Sequence, residues 1–277
     1  MAMKVRGQYC IGFASVLSLV SLLLLIILHV GQISTATVPR RLYMVQLNTT
    51  GYQNAVFLLT NDNFTDTYTN DSTAPLDQGK GLHPLYRWGL YSHCGFLNDT
   101  EVKCSNQTLG HRYEPFQNVI DNLPDRLSRL SNSFIEEPNF KDTKYTGSSS
   151  KAAYWMILLG TVCAALAFIT QVPSFVISLA GVVKHNYTFC VSTLFAVAGT
   201  ILLLIGASIW TVIIKRTEAI NSAPIILKNA IPNDTSPLPT LGFQVAAGNG
   251  LSILWGAFGT LLASVIPYMI SCCTWRG

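Results

Sequence analysis

Cys94 and Cys104 are the residues of this 277-residue chain best placed to do chemistry. They are the two cysteines outside the apolar segments and their margins. They stand among Asn-x-Ser/Thr acceptor sites at Asn48, Asn63, Asn70, Asn98 and Asn106. Such sites are used only in the secretory lumen, where thiols oxidise, so a disulfide is expected between the two. Its closed loop is short, and in chain-entropy terms it contributes about 2–3 kcal/mol by restricting the unfolded state. His83, His93 and His111 offer imidazole nitrogens, but their spacing matches no metal motif and no metal site is expected. Glu136 and Glu137 read as a solvated helix end, because a general acid and base need partners from elsewhere in the fold. Cys272 and Cys273 follow the last apolar run. Adjacent thiols at a membrane margin are a recurrent site of S-palmitoylation, with a pair of small residues finishing a helix as the plainer alternative. The chain has no Gly-rich phosphate loop, Gly-x-Ser-x-Gly elbow, His-Glu-x-x-His or Cys-x-x-Cys. No enzyme and no cofactor are expected.

The elements that must hold the cysteines follow from pattern. Leu85 to Leu90 are strand formers, Asn98-Asp99 suits a turn, and Glu101 to Ser105 can return as a second strand, so the bridge staples a hairpin. Arg41 to Leu47 and Ala55 to Leu59 read as further strands of a small antiparallel sheet. Asn61 to Asp77, rich in Asn, Asp and Thr, reads as a glycosylated loop. Val119, Leu123, Leu127, Leu130 and Phe134 fall at helical spacing and predict a helix packed on the sheet, with Pro124 near its start.

Composition places this polar stretch in a membrane protein: 49% hydrophobic, 12% charged, with a mean hydropathy of +0.36. The net charge of +4 is scattered, which excludes the dense basic tract that nucleic acid requires. Residues 1–10 form a short cytoplasmic N-terminus and 11–30 a first span. A cleaved signal peptide is its rival, with Ser34-Thr35-Ala36 as the nearest small-residue site, but the apolar core is long for one. The polar segment 31–152 follows. A second span occupies 153–183, a turn 184–186, a third span 187–214, an outer loop with a sequon at Asn233 215–242, a fourth span 243–270, and a cytoplasmic tail 271–277.

None of the spans holds an Asp, Glu, Lys or Arg, which argues against proton relays and voltage sensing. Gln171 and Pro173 read as packing features, His29 as an interfacial residue, and Cys163 and Cys190 as reduced packing residues. Gly242, Ala246 and Gly250, then Gly259 and Ala263, predict close helix contact along the last span. Ile225, Ile226 and Leu227 make a small apolar cluster. Asn186-Tyr187-Thr188 is a sequon expected to stay unused in the cytoplasmic turn. Sequons and bridge together put both termini in the cytoplasm.

Trp88, Gly89, Leu90 and Tyr91, then Cys94 and Cys104, resemble the Gly-Leu-Trp-x-x-Cys and following Cys of the claudin superfamily, with Tyr91 in place of Trp. The run Tyr113, Pro115, Phe116, Val119 and Pro124 is similar to that of the fungal Sur/PalI family. The resemblance implies an all-α transmembrane four-helix bundle carrying an extracellular antiparallel β-sheet. It implies a plasma-membrane protein of furrow-like domains (eisosomes), whose partners are membrane lipids and other membrane proteins or further copies of itself. It equally implies a helper of ambient-pH signalling. Gly89 to Cys94 also resembles the Gly-aromatic-aromatic-Gly-x-Cys motif of fungal tetraspans that regulate calcium influx, with Ser92 in place of the second Gly.

Overall fold

The computed structural model describes residues 2–179, 186–224 and 240–274, and side chains at 12–170, 190–224 and 240–269. Residues 184 and 185 of the expected turn, Ile225 to Leu227, Asn233, and the side chains of Gln171, Pro173, Cys272 and Cys273 lie outside these, while Asn186 already begins a helix. Two compact units divide the chain, one formed by 1–29, 152–208 and 252–277, the other by 30–151 and 209–251.

The first unit is helical. It is built from α1 (Ala2–Val30), most of α7 (Thr143–Leu179) and α8 (Asn186–Thr217), and most of α9 (Asn249–Thr274). Each helix contains a stretch long and apolar enough to cross a membrane. The chain is therefore a multi-pass membrane protein. Ala14, Ala164, Ala167, Ala196 and Ala257 are buried together with Leu25, Ile157, Leu203, Leu254, Leu261 and Tyr268, whereas Phe13, Ile169, Leu194 and Ile266 are exposed. An exterior of large apolar side chains suits a lipid solvent, and the small buried residues allow close helix approach. α7 and α8 meet where a Cβ on Gly160 would come within 2.8 Å of Leu203, and one on Gly206 within 2.8 Å of Ile157. Hydroxyls add cross-links: Ser18 to Tyr268 (2.8 Å), Ser21 to the Ala257 carbonyl (2.8 Å) and Thr170 to Ser192 (2.8 Å). His29 is bonded to Thr161 (3.1 Å).

The second unit carries a five-stranded antiparallel sheet in the order β4-β3-β2-β1-β5. The strands are β1 (Val45–Asn48), β2 (Leu85–Trp88), β3 (His93–Phe96), β4 (Val102–Cys104) and β5 (Gln244–Ala247). Around it lie α2 (Thr37–Arg41), α3 (Tyr52–Thr60), α4 (Pro115–Asn122), α5 (Asp125–Phe134) and α6 (Pro138–Lys141). Val45 pairs with Trp88 and Leu47 with Tyr86. These four are fully buried on one sheet face. Aromatic rings continue that core, with Trp88 edge-on to Tyr113 (5.2 Å) and Tyr52 stacked on Phe243 (4.8 Å).

Several expectations are corrected here. Ala55 to Leu59 is helical within α3: a continuous apolar run has no period of its own, and Tyr52, Ala55 and Val56 bury one helical face. The Val119 to Phe134 helix is two helices, α4 and α5, because Pro124 cannot continue the first and instead caps the second. Val119, Leu123 and Leu127 are nevertheless buried as their spacing predicted. The expected fourth span begins too early. Gln244 to Ala247 is β5, paired with β1, and the helix starts at Asn249.

The small-residue stripe fails with it. Gly242 has φ +73° and abuts the Gly51 backbone, Gly250 abuts the Tyr43 carbonyl, and a Cβ on Gly259 would meet nothing within 4 Å. Cys190, expected to be reduced, is disulfide-bonded, whereas Cys163 is free.

Candidate functional site

The signature residues form the turn of the β2–β3 hairpin. Trp88 and Leu90 are buried, and the Gly89 N–H donates to the Ser92 carbonyl (2.9 Å). A Cβ on Gly89 would stand 2.5 Å from the Gly31 carbonyl oxygen and 2.8 Å from Gln32 Cβ, so this turn closes against Gly31 and Gln32 only because residue 89 has no side chain. Gln32, with φ +57°, is fully buried. Its side-chain Nε2 donates to the carbonyls of Arg40 (2.7 Å) and Leu42 (3.0 Å), and its backbone carbonyl accepts the Ser92 hydroxyl. Nothing in the local sequence marks Gln32 as a hub. Its role depends on a turn formed far along the chain.

Cys94 and Cys104 are cross-strand partners in the β3–β4 register, 4.0 Å apart at Cα, and are joined as a disulfide. The staple therefore closes β3 on β4 around the Asn98-Asp99 turn. Leu85 to Trp88 is a further strand, on the other side of β3. On the Cys94 row, Arg87 lies with its guanidinium 4.6 Å from both the Tyr43 and Phe96 ring centres.

Beside the bridge lies a hydrogen-bonded chain of acid and imidazoles. His93, one residue before Cys94, is buried and stacks on Trp88 (5.9 Å). Its Nδ1 is 3.0 Å from His111 Nε2, and its Nε2 is 3.0 Å from Asn118 Nδ2 and 3.5 Å from Asp77 Oδ2. His111 Nδ1 meets the Thr108 hydroxyl (3.1 Å). Asp77 Oδ1 accepts from Asn118 (3.1 Å) and Asn122 (2.9 Å), both on α4. One assignment satisfies every group. Asn118 gives one hydrogen to Asp77 and one to His93 Nε2, His93 Nδ1–H donates to His111, and His111 Nδ1–H donates to Thr108.

Burial pushes the Asp77 carboxyl upward, but the adjacent His93 and the bonds from Asn118 and Asn122 outweigh it and hold the pKa below its usual value. Burial, then the nearby His93, push His111 down to about 4. Burial and His93 do the same to His83, also to about 4. Asp77, His93 and His111 line an open cleft of about 370 Å³, with Arg112, Glu114 and Asp121 at its wall. Among the described residues no group of His, Cys, Asp and Glu is arranged to hold a metal ion. The three histidines thus come together only in part: His93 and His111 join, while His83 lies over Gly95 with neither ring nitrogen partnered among the described residues. The sequence signals only the histidines; Asp77, Asn118 and Asn122 come from separate loops and a helix.

The acceptor residues Asn63, Asn70, Asn98 and Asn106 are exposed and Asn48 is half-buried. Glu136 is exposed and Glu137 caps α6, accepting from the Asn139 N–H, which gives neither a catalytic partner.

A model of the SUR7/PalI family matches residues 10–230. No curated protein and no solved structure matches the chain.

Proposed function

Because the chain belongs to the SUR7/PalI family, we propose that it is a non-enzymatic tetraspan that organises domains of the plasma membrane, with the sheet unit outside the cell and both termini in the cytoplasm. The observation that carries this reading is the uncharged, apolar exterior of the helical unit. Its spans hold no Asp, Glu, Lys or Arg and expose many large apolar side chains, a surface suited to lipids and neighbouring helices and not to a conducting path. Sequons and an oxidised cysteine pair in the sheet unit support the orientation. N-glycans at Asn48, Asn63, Asn70, Asn98, Asn106 and Asn233 belong to the same reading. The test is lateral distribution and neighbour labelling in living cells. Full-length protein carrying a C-terminal labelling enzyme is expected in stable patches of the plasma membrane, labelling a restricted set of membrane proteins. Uniform, freely diffusing protein, or residence in an internal membrane, would overturn it.

The Asp77–His93–His111 chain favours a second reading, in which the protein modulates ambient-pH signalling or cation entry. Asp77 accepts from Asn118 and Asn122 on α4, and Asn118 also bonds His93, so the polar chain lining the cleft is tied to the seating of that helix on the sheet. Asp77, His83, His111, Asp121, Glu114 and Arg112 are the titratable or charged groups around His93. His93→Gln and His111→Gln are expected to shift the external pH at which the cell's response is half-maximal. An unchanged pH response with altered calcium uptake selects cation entry instead, and no change in either removes this second reading.

A further inference from the structure

We propose that N-glycans on Asn98 and Asn106 guard the open edge of the sheet and keep β4 from pairing with β4 of a second copy of this chain. The proposal rests on the outward orientation of the sheet unit and on use of these two sequons.

β4 is the terminal strand of the sheet. Its ladder to β3 shows which groups are left over. The Leu97 N–H donates to the Glu101 carbonyl (3.0 Å) and the Ser105 N–H to the His93 carbonyl (2.8 Å). Bonded pairs therefore recur at alternate positions, with Lys103 opposite Gly95 between them. Val102 and Cys104 must then direct their N–H and C=O groups away from β3. Among the described residues neither has a backbone partner on that side. An ordinary edge of this length frays and offers a poor template. This one does not fray, because Cys104 is bonded to Cys94 in the neighbouring strand. The bond that stabilises the hairpin thus also holds a permanent pairing edge, and such edges invite association unless they are defended.

Both ends of that edge carry an exposed acceptor asparagine. Asn98 lies in the turn before β4, and Asn106 lies two residues after Cys104. The Asn98 side chain is fixed in direction: its Oδ1 accepts from Thr100 N (2.9 Å), Thr100 Oγ1 (2.8 Å) and Glu101 N (2.8 Å). Its Nδ2 gives one hydrogen to Glu101 (2.6 Å), and the other is the one that a sugar linkage replaces. At the centre Lys103 is exposed, so antiparallel pairing about a two-fold axis would bring like charges together. One cation is weak protection in water, whereas a bulky hydrated glycan at each end excludes a second strand sterically.

The test uses full-length protein in nanodiscs with a photo-crosslinking amino acid at Lys103. The glycosylated chain is expected to give no crosslink between copies. Asn98→Asp/Asn106→Asp, in which Asp keeps the Oδ1 acceptor of the turn, is expected to give a doubled-mass product crosslinked through position 103. Asn98→Gln/Asn106→Gln should do the same without added charge. Adding Val102→Pro to either removes an outward N–H without touching the ladder to β3, and the product should disappear. Cell-surface delivery reports whether each variant folds. Absence of the product in both glycan-free variants, its presence in the glycosylated chain, or its persistence with Val102→Pro overturns the proposal. Glycopeptide mapping that finds both asparagines unmodified overturns the sequon reading itself and is distinguished by peptide mass.

Discussion

His83→Phe should make the sheet unit more resistant to acid. The imidazole is 1% exposed, neither of its nitrogens has a partner among the described residues, and burial pushes it down to about 4. Its backbone is anchored independently, since its N–H donates to the Tyr86 hydroxyl (2.9 Å) and its carbonyl accepts from Thr49 (2.7 Å). The ring packs edge-on to Tyr86 at 5.7 Å, a contact that Phe can keep. A group whose folded pKa is depressed stabilises the fold fully above its unfolded value. That stability is then lost as pH falls from about 6.5 toward about 4. Linkage gives a loss of about 2 kcal/mol at pH 5 and about 3 kcal/mol by pH 4 from this one residue. At neutral pH the substitution removes no hydrogen bond and should be nearly neutral. Tryptophan-fluorescence melting of full-length protein in nanodiscs at pH 7 and pH 5 measures the difference. The wild type should lose about 4–8 °C more than the variant between those two pH values. Parallel loss in both proteins would mean that His83 is solvated or partnered, and the linkage reasoning would fail.

Replacing Cys94 or Cys104 by Ser should expose a free thiol, remove about 2–3 kcal/mol and retain the protein before the cell surface. Wild-type protein whose two thiols both alkylate without reduction refutes that. Gly89→Ala places a methyl group 2.5 Å from the Gly31 carbonyl. The turn must then open, with loss of surface delivery at least as severe as that of the cysteine variants, whereas normal delivery would show that the turn can relax. Wild-type protein should carry hydroxylamine-sensitive acylation that is lost in Cys272→Ser/Cys273→Ser, with delivery kept and enrichment in membrane domains reduced; absence of acyl exchange in the wild type removes the modification.

Composition, the number of apolar spans and the cysteine pair were legible in the sequence because each depends on local residue type: four long apolar stretches form helices, and Cys94 and Cys104 flank a sound turn. What the sequence hid was long-range. Gln244 to Ala247 reads as the start of a span because its apolar residues adjoin one, and only the open side of β1 makes it a strand. Ala55 to Leu59 reads equally as strand or helix until Tyr52 finds its pocket. The acid and imidazole chain draws Asp77 from a loop, His93 from a strand and Asn118 and Asn122 from a helix. No spacing rule links them, and the spacing of the histidines alone matches no motif.

The placement of β5 next to β1 sets a clock on biosynthesis. β1 ends at Asn48 and its partner begins at Gln244, with two of the four spans, in α7 and α8, between them. At about 5–20 residues per second of synthesis, β1 stands with one side unpaired for roughly 10–40 s before β5 is made. Until then the nascent sheet is incomplete and the outer side of β1 has no strand to pair with. A chain truncated or stalled in the third span is therefore expected to keep that edge open however well its disulfide has formed. Synthesis of β5, and not oxidation of the cysteine pair alone, completes the sheet.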